Sequence, residues 1–175
     1  QTVIFMGPLD RYAEDPTRNV APGTACGRNS VLTILGQEAG HRFGAYTLFL
    51  DPDTRRRSAE LLGRDSAHWS FYLNSDASFL EGNQIQDKGA GVSPRFETTE
   101  IVRRFSELDQ YLMGLRGPDE VRPTFLVRSP SIDFTRSRNP QAGILFDGTR
   151  FDVTVPMIVA AEGPRQPDHT VSPRT

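Results

Sequence analysis

Three residue types are nearly missing from this chain of 175 residues: cysteine occurs once (Cys26), lysine once (Lys88) and histidine three times (His41, His68 and His169). A lone cysteine excludes an internal disulfide, so cysteine usage says nothing about compartment. The missing lysine leaves 19 of the 20 basic residues as arginines. That bias is what a GC-rich genome produces, and solvated surface is the ordinary place for most of these side chains, although each keeps its charge and bidentate fork wherever it sits. Excess charge of either sign is also lacking. The formal net charge is −2, which removes the electrostatic case for a nucleic-acid binder. Nor does any apolar run approach the roughly 20 residues that a membrane-spanning helix needs. Scarce histidine makes any histidine-based site easy to enumerate.

What is present suits one folded domain. Hydrophobic residues make up 37% and charged residues 24%, which excludes collagen-like, coiled-coil and wholly disordered chains. The length supports one core and not two comfortable ones. The sequence opens on Gln1 rather than Met, and reads as a piece whose leader has been removed and which belongs to a longer, modular protein. No internal repeat is visible. A single domain over 1–163 is expected, with a Pro-, Arg- and Thr-rich tail or linker over 164–175.

The pattern along the chain is α+β. Val3 to Met6 reads as a strand, followed by a long loop punctuated by Gly-Pro, Asp-Pro and Pro-Gly. Ser30 is an N-cap candidate, and Val31, Leu32, Ile34, Leu35, Ala39, Phe43 and Tyr46 recur at helical spacing. Gly36, Gly40 and Gly44 lie four apart within that pattern; each costs about 1 kcal/mol against alanine, so they mark a face that something approaches closely. Residues 47–50, 68–73, 124–127 and 149–155 read as strands. On the His68–Leu73 strand, alternation would turn Trp69 and Phe71 inward. Residues 82–95 read as a loop or hairpin rim. Glu107 to Leu115 is a short helix ending at Gly114 or Gly117, and Met157 to Ala161 another. The fold expected is a central helix carrying the informative residues, packed on a small mixed sheet.

On that helix Gln37 and His41 stand at i and i+4, on one face, with Glu38 beside Gln37. This is the spacing of the His-Glu-x-x-His zinc helix, in which two histidines one turn apart grip the metal and the glutamate polarises its water. The turn suits the chemistry because its 5.4 Å pitch matches the span between two ligands of a tetrahedral ion. Here the first histidine is replaced by Gln37, whose amide oxygen suits harder cations better than zinc. The plain reading is that Gln-Glu-x-x-His arises by chance in many helices and that a lone helix histidine is structural.

Four blocks carry a resemblance to a family. They are Gly36-Gln37-Glu38-Ala39-Gly40-His41-Arg42-Phe43-Gly44-Ala45, Leu61-Leu62-Gly63-Arg64-Asp65-Ser66-Ala67-His68-Trp69-Ser70, Asp76-Ala77-Ser78-Phe79-Leu80-Glu81-Gly82-Asn83 and Ser106-Glu107-Leu108-Asp109-Gln110-Tyr111-Leu112-Met113-Gly114-Leu115. Together they resemble bacterial secreted metallopeptidase-like proteins of the zincin type, over about half the chain, Thr33 to Val121. The resemblance implies a zincin-like scaffold, a divalent metal (zinc first), a protein or peptide substrate, further domains in the same chain and a secreted location. It departs from the family at Gln37. With His41 as one ligand, His68 is the leading candidate for another. Glu60 is the alternative, because residues 42–59, 18 in all, separate it from His41 as in glutamate-liganded zincins. Asp76 and Glu81 are candidates to orient His68 from behind, or are mere helix caps. Tyr111 and Met113 resemble residues beside the metal, with the Tyr111 hydroxyl a candidate oxyanion donor; equally, Tyr-Leu-Met is ordinary core. His169 falls in the tail.

Three functions follow. The first is a metallopeptidase-like hydrolase, with Glu38 as general base and His41, His68 and Gln37 around the metal. The second is a zincin-like module that has lost catalysis and serves binding or structure. The third is a carbohydrate-active domain pairing Glu38 with Asp76 across a cleft lined by Trp69 and Tyr72.

Overall fold

The computed structural model describes residues 3–4, 6–8, 10, 12–19 and 30–171; Cys26 lies outside them. It is a small α+β domain. Helix α1 spans Val31–Gly40, α2 Glu107–Leu112 and α3 Val155–Glu162; the strands are β1 Phe49–Leu50, β2 Arg57–Ser58, β3 Asn83–Asp87, β4 Phe96–Ile101, β5 Thr124–Arg128, β6 Leu145–Phe146 and β7 Thr149–Val153. They pair as β1-β2, β3-β4-β6 and β5-β7. Every one of these pairings is antiparallel, so the mixed sheet expected from the sequence is replaced by three small antiparallel ones.

Two helices start where serine can cap them. Ser30 and Ser106 each accept the N–H of the residue three further on, and the side chains of Thr33 and Asp109 return the bond to the cap's own N–H. Each cap satisfies two orphan donors of a helix start. Helix α1 stops at Gly40, short of the predicted Tyr46. The N–H groups of Phe43 and Gly44 both turn back onto the Gly40 carbonyl, and Ala45 takes a positive φ of 55°. Nor is α1 central: Leu32 and Leu35 are exposed, and the extensive helix–strand packing is that of α3 on β1.

Strand β5 separates two cores. Leu126 joins the main one with Phe49, Leu61, Leu62, Trp69, Leu73, Leu80, Leu108, Tyr111, Leu112 and Ile158. Phe125 and Val127 face the other way, toward Phe71, Tyr72, Ile85, Phe96 and Phe146. A strand buried on both faces reads as a continuous apolar run, which is how Thr124 to Val127 reads in the sequence.

Residues 68–73 are not the expected strand. All six are buried, with no alternation. Their backbone groups go to different segments: Trp69 N–H to the Leu80 carbonyl, Ser70 N–H to Leu61 and Phe71 N–H to Arg136. Buried backbone groups need partners, and these find theirs on different segments, forming an irregular spine through the centre of the domain. Residues 82–95 divide into β3 and a turn leading to β4. At the start, residues 3, 4 and 6 form no strand. In the tail, Arg165 Nε donates to the Leu112 carbonyl at 2.6 Å, and the His169 ring lies beside Gly117. No helix among the described residues is long and apolar enough to cross a membrane.

Candidate functional site

The site is built outward from the Trp69–Leu80 backbone bond. That bond, at 3.0 Å, places the preceding His68 next to the following Glu81. Trp69 is in turn fixed by its indole N–H, which donates to Ser78 Oγ at 3.1 Å and to Asp109 Oδ1 at 2.9 Å. Asp109, 1% exposed, also accepts the Ser106 N–H and hydroxyl. Burial pushes the Asp109 carboxyl up against the lowering effect of these bonds. Helix α1 is brought in by its glycines. A Cβ on Gly36 would stand 2.8 Å from the Phe79 ring, and one on Gly40 or Gly44 would stand 3.0 or 2.9 Å from Leu80. The glycine stripe is thus the seat of Phe79 and Leu80, the close approach its spacing predicted. The four sequence blocks meet at Trp69 and Leu80.

Around that joint stand Gln37, His41, Arg64, His68 and Glu81. The imidazoles of His41 and His68 meet edge to face with centroids 4.8 Å apart. His68 is 5% exposed and Glu81 7%. His68 Nδ1 lies 2.9 Å from the Arg64 carbonyl oxygen, an acceptor only, so Nδ1 carries the proton and Nε2 presents its lone pair. That lone pair accepts from Gln37 Nε2 at 3.2 Å and from Arg64 Nη2 at 3.1 Å. Arg64 also grips Glu81 bidentately, Nε to Oε2 at 3.0 Å and Nη2 to Oε1 at 2.5 Å, and Glu81 Oε1 is 3.7 Å from His68 Nε2. His41 Nδ1 is buried with no hydrogen-bond partner among the described residues. Burial lowers the His41 pKa, and the neighbouring His68 lowers it further; the neutral ring is favoured.

Backbone geometry supports the cluster. Glu81 sits at φ 57°, as do Asp65 at 57° and Ser66 at 54° in the turn that carries Arg64. Such left-handed non-glycine residues are uncommon, and where several gather they often mark a functional site. Gly63 opens that turn because a Cβ there would lie 2.5 Å from the Trp69 carbonyl oxygen.

Of the residues singled out from sequence, Gln37, His41 and His68 are brought together. Glu38 is exposed on α1. Glu60 is drawn elsewhere, into an ion pair with Arg128. Tyr111 is buried in the main core, outside the hydrogen-bonded set around His68. Asp76 pairs with Arg104 at 3.5 Å. Trp69 and Tyr72 are buried in different cores, so the aromatic cleft of a carbohydrate-active domain is not formed. Arg64 was not foreseen. Its only signal was its place four residues before His68, inside the second block.

Set against known protein families, characterised proteins and solved structures, the chain matches none.

Two imidazoles, a carboxylate and an amide form a donor set suited to a divalent cation, and an unpartnered buried imidazole nitrogen belongs to such a set. Their present arrangement is another matter. Among the described residues no three His, Cys, Asp or Glu side chains are disposed to hold an ion, and the charge facing Glu81 and His68 is the Arg64 guanidinium.

Proposed function

We propose that this chain is a metal-dependent hydrolase domain, zincin-like in design, acting on peptide bonds. The observation that carries the reading is the orientation of His68. Its Nδ1–H is tied to a backbone carbonyl, the outer-shell arrangement by which metal-ligating histidines are held, and its Nε2 lone pair faces Gln37 and Arg64, with Glu81 Oε1 3.7 Å away. His41 and His68 would hold the ion, with Glu81 as the carboxylate ligand and the Gln37 amide beside them. A bound divalent metal supplies Lewis acidity and lowers the pKa of its water.

The chain's own residues do the remainder. Burial favours the neutral His41 ring as a donor, the Arg64 carbonyl fixes the His68 tautomer, and Glu38, exposed on α1 beside Gln37, would be the base that receives a proton from attacking water. The expected result is chelator-sensitive cleavage of an unfolded protein substrate, lost in Glu38→Gln with metal content retained. Cleavage indifferent to both chelator and Glu38→Gln would sink the proposal.

A second reading has its own observation. The Arg64 guanidinium already neutralises Glu81, as a protein that had given up its metal would require, and Gln37 stands where such helices carry histidine. On that reading the domain is a zincin-like binding or structural module, and purified protein titrated with zinc shows no stoichiometric uptake.

A further inference from the structure

Arg64 holds His68 from both sides. Its carbonyl takes the Nδ1 proton at 2.9 Å, and its guanidinium donates to Nε2 at 3.1 Å while clasping both oxygens of Glu81. The two halves of the residue have different freedoms. The carbonyl belongs to the turn over Arg64–Ser66, closed by the N–H of Ala67 and bounded by the bond from Gly63 N–H to the His68 carbonyl. The guanidinium reaches in from the rim: the Arg64 side chain is 41% exposed, and its Nη1 is anchored on Asp65 Oδ2 at 2.8 Å, itself 66% exposed. The head can therefore leave Glu81 and His68 and keep a carboxylate partner at the surface, without disturbing the backbone bond that orients the imidazole.

We propose that Arg64 is a latch on the candidate metal site, occupying as a built-in cation the Glu81 oxygens and the His68 lone pair, so that a divalent ion binds only by exchange with its guanidinium. This rests on the metal-site reading above and adds its regulation. Two considerations make the occupancies exclusive. The lone pair of His68 Nε2 cannot serve an N–H donor and a metal together. A guanidinium about 3 Å from a divalent ion in a poorly solvated site is repelled more strongly than either charge is in water. The fork matters as much as the charge, because Nε and Nη2 reach the two Glu81 oxygens in one plane, a match that an ammonium lacks. Affinity for the ion is then reduced by the fraction of molecules in which the latch is open.

The test is zinc titration of the full chain by calorimetry, for the wild type, Arg64→Gln and Arg64→Lys, with near-ultraviolet circular dichroism of the buried Trp69 reporting the fold of each. Arg64→Gln is expected to bind zinc at least about tenfold more tightly than the wild type, as a latch closed in about nine molecules of ten demands. Arg64→Lys, which keeps the charge but loses the fork, is expected to fall between them and carries the comparison if Arg64→Gln does not fold. Wild-type binding with unchanged or weaker binding in both variants overturns the latch and leaves the metal site standing. Binding in the variants alone supports the latch and overturns metal-dependent function in the wild type. No binding in any of the three folded proteins overturns both.

Discussion

Two arginine–carboxylate clusters in this domain look alike and are built differently. In one, Arg128 bridges Asp51 at 2.5 Å and Glu60 through Nη2, and its guanidinium lies 3.5 Å above the Phe151 ring centroid. Asp51 also accepts the N–H groups of Asp53 and Thr54. Burial pushes the Asp51 carboxyl up, but these bonds outweigh it and hold it below the ordinary carboxylate range. Every acceptor there has its donor. In the other, Arg64 serves the buried Glu81, the surface Asp65 and one imidazole lone pair, while a second imidazole, His41, keeps a buried nitrogen with no partner among the described residues. The first cluster ties β1 to β5 and is satisfied by its own chain. The second gathers two imidazoles, an amide and a guanidinium around a single buried acid and leaves bonding capacity over. Unused capacity in a buried, held arrangement is what a ligand site requires and a structural ion cluster does not.

The largest expected effect comes from removing the joint beneath the second cluster. Leu80→Ala would empty the space under Gly40 and Gly44, where Leu80 lies within 3.0 Å of a notional Cβ. Burial of this kind costs about 2–5 kcal/mol when truncated to alanine. Urea unfolding should show that loss, and a ¹⁵N-labelled spectrum should show the His41 and His68 amides moving while those of Asp51 and Arg128 hold position. Movement confined to the Arg128 side would reverse the assignment of Leu80 to the histidine cluster.

Asp109→Ala attacks the same side from beneath Trp69. It strips an acceptor from the indole N–H and from the Ser106 N–H, and unsatisfied buried donors cost about 1–3 kcal/mol each. The indole keeps its second partner, Ser78, so a total loss of about 2–3 kcal/mol is expected. Asp109→Asn should cost less, since its amide oxygen can still accept from Trp69. Equal losses in the two variants would overturn the assignment of the loss to the missing acceptor of the Trp69 indole.

How far the sequence announced all this depends on the kind of signal. Ser30 and the glycine stripe were legible because caps and close approaches are local requirements met by particular residues, whereas the Ser106 cap of α2 was not read from the sequence. The start of α2 and the place of β5 were legible too, but α2 ends at Leu112, short of the expected Leu115. The central segment 68–73 was not. A buried aromatic run reads as a strand, and only long-range partners such as Leu61, Leu80 and Arg136 make it an irregular spine. The pairing of β3 with β4 was hidden because Asn83 to Asp87 is polar, and its bulge between Gln84 and Ile85 breaks alternation. At the site, histidine scarcity pointed to His41 and His68, whereas Arg64 was one arginine among 19, marked only by its place four residues before His68. Glu81 was visible only as a candidate to orient His68 or to cap a helix, and its left-handed backbone is a property of the fold.

Breaking the satisfied cluster should cost less than undermining the joint. Arg128→Met removes the partner of Asp51, which is 5% exposed, yet two backbone N–H groups still serve that carboxylate and the methionine stem still covers Phe151. Solvent reaches both Arg128 and Glu60, so the full penalty of a buried broken pair does not apply, and a loss of about 1–2 kcal/mol is expected. Thermal unfolding measures it. A loss above that of Leu80→Ala would mean that the Arg128 cluster, and not the Trp69–Leu80 joint, holds the domain together.

The smallest effect separates the clusters by titration. The folded-state pKa of His41 is lowered, first by burial and then by His68, from an ordinary value of 6.5. The unfolded chain therefore binds the proton first, and the folding free energy falls as pH drops through about 6.5, continuing until folded His41 itself protonates. Between pH 7.5 and 5.5 the loss from this residue is at most about 1.4 kcal/mol, and less because His41 is only half buried. His41→Asn should flatten the dependence by that amount. Arg128→Met should leave the slope in this window unaltered, because Asp51 is held below the ordinary carboxylate range and the Arg128 guanidinium is raised above its own. If His41→Asn keeps the wild-type slope, His41 is not held neutral by its surroundings, and the contrast between a satisfied cluster and one with capacity to spare loses its chemical basis.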